Sequence, residues 1–318
     1  MTIHEIARLA GVSTATVSRV FSHHPGIRDE VREHVFEVAR KHGYHPRVSS
    51  RQKNVVIITP YDSVFPVQSC VDMILMSLTQ ILPKRGFRLE ILPVNNLERL
   101  ESIQFCAAVA IGVEESDFPS WSARFSVPLV IVDRALKKHA ENVFSVRSDE
   151  AGGMELAIRH LHEHGCRKIG CIIHGRPGLG NADTRYAAIR KSLKKHELPM
   201  DDYLICFSGD GSEKYVELIG KLLKRGVDAL FCPGGNAGIV ALYAFSLYGK
   251  RVPEDISLIA SEQTFFSQYA VPPQTTITQD YPAVAAAVAE LIETWLDNGT
   301  PAFQNTIPYK IIERESVS

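Results

Sequence analysis

Apolar residues recur at two different periods along this chain, and the change of period falls near residue 54. Ahead of it the spacing predicts three short helices. Ile3, Ile6, Ala7 and Ala10 form one stripe, with Thr2 and Glu5 placed as a capping box before it and Gly11 ending it. Ser13 is a good N-cap for a second helix that turns Val17, Val20 and Phe21 inward and Thr14, Ala15, Ser18 and Arg19 outward. The third helix follows His24, Pro25 and Gly26, buries Val31, Val35, Val38 and Ala39, and stops at Gly43, which suits a left-handed C-cap. Only a few residues part the first two helices, as a helix-turn-helix requires.

After residue 54 short runs rich in Val, Ile and Leu alternate with amphipathic stretches. The runs at 55–59, 88–93, 107–112, 129–132, 168–173, 203–207, 229–232 and 257–260 read as buried parallel strands. Helical patterns lie between most of them, at 73–84, 151–164, 185–196, 214–225 and 237–248. Alternating strands and helices predict an α/β fold of doubly wound parallel sheets with right-handed crossovers. There are too many strands for one compact sheet, so two lobes are expected, with ligands at the carboxyl ends of the strands between them.

Composition sharpens this picture in two places. With 318 residues, 45% hydrophobic and 22% charged, the chain has enough apolar material for two or three cores without staples. The six cysteines, at 70, 106, 166, 171, 206 and 232, sit in apolar stretches with no C-x-x-C pair, so reduced core thiols are expected. No apolar run approaches the ~18 residues of a membrane span and the N-terminus has no apolar leader, which predicts a cytoplasmic protein with no membrane partner.

Charge is the second place. The formal net charge of −1 hides nine Lys/Arg against five acids in residues 1–53, a balance of +4, which leaves −5 for the rest. A basic head on a mildly acidic body suits a polyanion partner for the head alone. The second helix says how. Its outward side is short side chains plus one Arg, so its backbone can enter a major groove closely, and Arg19 can reach a guanine edge with two hydrogen bonds. Thr14 and Ala15 would read neighbouring bases, and Ser13 and Thr16 would hold phosphates.

The run Gly11 to Val20, and indeed the first 46 residues, closely resembles the LacI/GalR family of transcription regulators. Weaker echoes continue in Ser148 to Gly153, His160, the run Gly165 to Ile169, the run Asp228 to Cys232, and the segments 252–257, 272–279 and 314–316. The resemblance implies a fold like that of the periplasmic sugar-binding proteins, and a homodimer on pseudo-palindromic double-stranded operator DNA. It puts Thr14, Ala15 and Arg19 at base-reading positions, with Ser18 beside them. The implied divisions are a helix-turn-helix domain at 1–46, a shortened hinge at 47–54 and an effector domain at 55–318. Lobe one would take about 55–144 with a return helix at about 280–298, and lobe two about 145–272.

Two segments depart from the family pattern. In the hinge, Arg47 and Arg51 remain available to DNA, but the position of the family's wedging Leu is Lys53, which cannot replace base stacking, so a smaller DNA bend is expected. In the effector region, Arg185 aligns with the family's ligand Arg, whose planar fork suits vicinal hydroxyls or a carboxylate. Gly234 and Gly235 stand where many members have Asn-Asp, and Ala260 to Gln263 where they have Gly-Phe-Asp-Asp. Glu262 and Gln279 are candidate polar contacts to the effector, and Phe65 is a candidate stacking surface.

Other chemistry fits less well. The run Gly175 to Gly180 has the wrong order for a dinucleotide loop, with Pro177 inside it. His164, Cys166, Cys171 and His174 are close in sequence, but Cys171 lies within an apolar strand, so zinc is not expected. With no hydrolase signature and no cofactor motif, an enzyme is not expected. The expectation is a sequence-specific repressor that answers a small sugar-like effector held between two lobes. The competing expectation is a carbohydrate-binding sensor with weak or sequence-blind DNA binding.

Overall fold

The computed structural model describes the chain except residues 22–23, 25, 43, 45–52, 61–68, 137–139, 179, 210–213 and 236. The head is α1 (Ile3–Leu9), α2 (Thr14–Phe21) and α3 (Asp29–Lys41). There follow β1 (Asn54–Thr59), α4 (Cys70–Lys84), β2 (Arg88–Pro93), β3 (Ala107–Ile111), α5 (Trp121–Arg124), β4 (Leu129–Val132) and β5 (Val143–Ser148). Next come α6 (Glu150–Glu163), β6 (Ile169–Ile173), α7 (Ala182–Lys195), β7 (Ile205–Phe207), α8 (Tyr215–Lys224), β8 (Ala229–Cys232), α9 (Ala237–Leu247), β9 (Ser257–Ser261), α10 (Thr264–Tyr269) and β10 (Thr275–Gln279). The last elements are α11 (Tyr281–Leu296), β11 (Gln304–Ile307) and β12 (Tyr309–Ile312).

The chain forms two compact units. Unit one holds the head, β1, Cys70–Arg147 and Tyr281–Thr306, and unit two holds Ser148–Asp280 and Ile307–Ser318. The sheet of unit one runs β11-β5-β4-β3-β1-β2, with β2, β1, β3, β4 and β5 pairing parallel in turn. Its strands are near-continuous runs of Val, Ile and Ala, as burial on both faces demands, and β3 and β4 are buried along their whole length. The sheet of unit two runs β12-β10-β9-β8-β6-β7, parallel except for β12, which lies antiparallel on β10 with Gln279 opposite Tyr309. Strand order reverses at β6, so the crevice at its carboxyl end, between β6 and β8, is the natural ligand position in this sheet.

Four strands differ from the sequence-based expectation. β5 was hidden in an alternating stretch, and it carries unit one to Arg147 rather than 144. β10 reads polar because of its threonines, yet Thr275 and Thr276 are fully buried. Their polarity is satisfied by the chain's last residues. Thr275 donates its N–H to Ser316 Oγ (2.8 Å) and its hydroxyl to the Arg314 carbonyl (3.1 Å). β11 and β12 lie beyond the return helix, which itself spans Tyr281–Leu296. Unit two therefore runs on to Asp280 and takes up the chain again at Ile307.

Smaller shifts concern ends. Lys168 precedes β6, where its N–H meets the Asp228 carboxylate (2.9 Å), and Tyr203 lies in a 3-10 turn before β7. Asn54, counted with the linker, opens β1, and the Lys53 ammonium lies 5.4 Å from the centroid of the Phe87 ring in unit one. The rest of the expected linker, Arg47 and Arg51 included, falls outside the described residues, as do Gly43 and Phe65. Among the described residues no helix is long and apolar enough to cross a membrane.

Candidate functional site

In the head, local signals set the geometry. Thr2 and Glu5 close the capping box, the Thr2 N–H donating to Glu5 Oε2 at 2.7 Å. The Glu5 carboxyl is held below its ordinary pKa by those hydrogen bonds from Thr2. Gly11, at φ +63°, makes the turn where a Cβ would be strained. Ser13 then starts α2, its Oγ accepting the Thr16 N–H at 3.0 Å and sharing a 2.8 Å hydrogen bond with the Thr16 hydroxyl.

Packing fixes the rotation of α2. Val17 and Val20 are wholly buried against Ile6, Ala7, Ala10, Val35 and Phe36. Phe21 meets the Phe36 and Tyr44 rings edge-on, at centroid distances of 5.5 and 5.7 Å. With that side committed to the core, Ala15, Ser18 and Arg19 are exposed, Ser13 is exposed at the leading end, and Thr14 and Thr16 are half-buried. Phe36, buried in this core, is a side chain that the helical spacing does not single out.

The second candidate site lies in unit two at the carboxyl ends of its strands. Arg185, on the first turn of α7, is 16% exposed and Glu150, at the start of α6, only 4%. Arg185 Nε donates to Glu150 Oε2 at 2.7 Å and Nη2 to Oε1 at 3.0 Å, a two-pronged pair. Glu150 Oε1 also accepts from Tyr309 Oη (2.8 Å) and Asn181 Nδ2 (3.2 Å), and Gln279 Nε2 donates to Tyr309 Oη at 3.2 Å. Burial pushes the Glu150 carboxyl up, but the Arg185 charge and the hydrogen bonds of Arg185, Tyr309 and Asn181 outweigh it, so it stays below its ordinary pKa.

Glycines make this cluster possible. A Cβ at Gly153 would stand 2.7 Å from the Tyr309 ring, so a bare backbone on α6 admits that ring. A Cβ at Gly234, at φ +87°, would strike the Arg185 guanidinium, and one at Gly235 would come within 2.7 Å of the His174 ring. The Gly234 N–H is fixed by Ser261 Oγ at 2.7 Å.

The effector candidates in unit two thus separate. Arg185, Gly234 and Gln279 come together, joined by Glu150, Asn181 and Tyr309, which the sequence reading had not proposed. Glu262 faces elsewhere: both its oxygens take the Arg314 fork at 3.0 Å, and the Thr276 hydroxyl donates to it as well. So paired, Glu262 does not join the Arg185 cluster. A signal for Glu150 existed in an acid directly behind the N-cap Asp149, which accepts the Gly152 N–H at 3.0 Å; no signal marked Tyr309, on a strand that was itself not foreseen. Among the described residues, no three His, Cys, Asp or Glu side chains come together as a metal-binding group.

Comparison with known proteins gives two family matches. Residues 2–47 match the bacterial regulatory proteins of the lacI family and residues 158–317 match a periplasmic binding protein-like domain. Among curated proteins, the chain is 27% identical to the HTH-type transcriptional regulator MalR of Clostridium butyricum, covering 99% of each chain. It is 26% identical to the HTH-type transcriptional regulator GalR of Escherichia coli K12, covering 100% of this chain and 96% of that one. Among solved structures it is similar to a transcriptional regulator CelR–cellobiose complex, at TM-score 0.71, 24% identity and 99% coverage of both chains. It is also similar to the lac repressor dimer bound to operator and an anti-inducer, at TM-score 0.68 and 19% identity, covering 99% of this chain and 98% of that one.

Proposed function

Because this chain belongs to the LacI/GalR family of transcription regulators, we propose that it represses by laying α2 in the major groove of an operator and changes its operator affinity when a small sugar-like effector meets the Arg185 cluster of unit two. The observation that carries the reading is the exposed edge of α2. Ala15, Ser18 and Arg19 are exposed, with the half-buried Thr14 beside them, while Val17 and Val20 lock the helix from behind. Arg19 donates to a guanine edge, Thr14 and Ala15 meet neighbouring bases, and Ser13 and Thr16 hold phosphates, with Arg47 and Arg51 following along the backbone.

Two copies act together, since a pseudo-palindromic operator needs two heads about one helical turn, roughly 34 Å, apart. Support for a second copy comes from α9 and α10. Tyr243 and Leu247 on α9 and Phe265, Phe266 and Tyr269 on α10 are large, apolar and exposed, and the Phe265 ring touches those of Phe266 and Tyr269. The three α10 rings form an exposed cluster of the kind that soluble proteins cover with a partner.

Arg185, Gly234, Gln279 and Tyr309 are the effector contacts of unit two. A coupling of about 1 to 3 kcal/mol between effector and operator suffices for a 5- to 150-fold change in affinity. Gel shifts on genomic fragments at physiological salt, with and without a panel of sugars, test the proposal. Specific binding that a sugar alters is the expected result; only weak, sequence-blind binding would leave a sensor without an operator.

A further inference from the structure

We propose that Glu150 is an internal counter-ion that limits the ligand of the Arg185 site to uncharged polyhydroxylated molecules and turns away carboxylates and phosphates. The inference rests on the reading that an effector binds at Arg185, and it adds the effector's charge class. An arginine fork suits either vicinal hydroxyls or an anion. Here the Nε and Nη2 edge that an incoming carboxylate or phosphate would take already holds one.

That carboxylate is not free to leave. It is almost wholly buried, and it sits at the start of α6 behind the capped Asp149. Tyr309 and Asn181 add two donors to Oε1, and the Tyr309 ring is seated on the bare backbone of Gly153. On the far side, Gly234 leaves just the room that the rest of the guanidinium needs. Nearby, Lys310 is paired with Asp280. An anion brought to Arg185 would meet a neutralised cation and, beside it, a buried and weakly screened negative charge. A neutral hydroxyl meets no such repulsion, and Gln279, Tyr309 and Arg185 are donors of the kind that orient hydroxyls.

The test uses the full-length protein and calorimetric titration. Matched pairs, D-glucose with D-gluconate and D-galactose with D-galacturonate, are set beside inorganic phosphate. The wild-type protein should bind no anion, and any sugar that binds should exceed its acid by on the order of tenfold or more. Glu150→Gln, which keeps the shape and removes the charge, should gain phosphate binding on the order of tenfold over wild type, whereas Glu150→Asp should not. Phosphate or an acid binding the wild type as well as its neutral partner overturns the inference, as does a folded E150Q that gains nothing. Should E150Q fail to fold, the wild-type titrations decide alone: anion binding refutes the inference and its absence supports it. A neutral sugar that binds yet leaves operator affinity unchanged removes the effector reading while the charge selection stands.

Discussion

Arg19 and Arg185 are the same residue in opposite electrical surroundings. Arg19 stands on an exposed helix edge, where water and salt screen its charge. Arg185 is mostly shielded and paired with the buried Glu150, which holds two further donors, so screening is slight and the pair is locked by geometry. Removing Arg185 would uncover the buried Glu150 charge. Position in the fold, rather than residue type, separates a recognition group from one that also holds its site together.

The sharpest way to break the comparison is to remove one member of the buried pair. Arg185→Ala should lower the stability of unit two by about 3 to 5 kcal/mol, because it strands the Glu150 carboxylate, while Arg185→Met combined with Glu150→Leu should recover most of the loss. Urea unfolding of the three proteins measures this. Equal losses in the single and double variants would mean that the pair contributes through packing alone.

Arg19→Ala should cost about 1 to 3 kcal/mol of operator binding, relax preference at one base pair of each half-site, and leave unfolding within about 0.5 kcal/mol of wild type. An equal loss on every DNA sequence would make Arg19 a phosphate contact. Raising salt should weaken operator binding steeply and move the unfolding midpoint far less, since the Arg185–Glu150 pair is largely shielded from solvent.

Helix capping gives a smaller effect. Thr2→Ala removes half of the capping box and should destabilise the head by about 1 kcal/mol, seen as a lower midpoint for the head alone. The smallest effect lies on the acid limb. Burial raises the Glu155 carboxyl, but hydrogen bonds from Lys195, Ser192 and His196 and the Lys195 charge pull it down to about 2 from its ordinary 4.5. A depressed carboxyl stabilises the fold above its unfolded value and ceases to do so as pH falls through its folded one. Stability carried by Glu155 is therefore lost between pH 4.5 and about 2. Glu155→Gln should flatten that part of the pH curve by about 1 kcal/mol or less, as suits a partly exposed pair.

The same contrast explains what could be read from the amino-acid sequence. The head is specified locally: the Thr2–Glu5 box, the Gly11 turn, the Ser13 cap and the Val17/Val20 stripe all lie within one helix length of what they control. The inner strands of both sheets announce themselves through burial on two faces. β10 and β12 do not, because their polar side chains are made acceptable by distant partners, as when Ser316 and Arg314 satisfy Thr275. Arg185 was legible as a candidate, but its counter-ion was not, since Glu150 is 35 positions away and Tyr309 lies 159 from Glu150. The partner of Glu262 was hidden in the same way, Arg314 being 52 residues on.

The antiparallel seat of β12 on β10 has a consequence for biosynthesis. Residues that emerge late from the ribosome provide the hydroxyl on Glu150 and the guanidinium on Glu262. The head, by contrast, has all its core within the first 44 residues. A nascent polypeptide can thus complete the core of its head before the partners of Glu150 and Glu262 have been made.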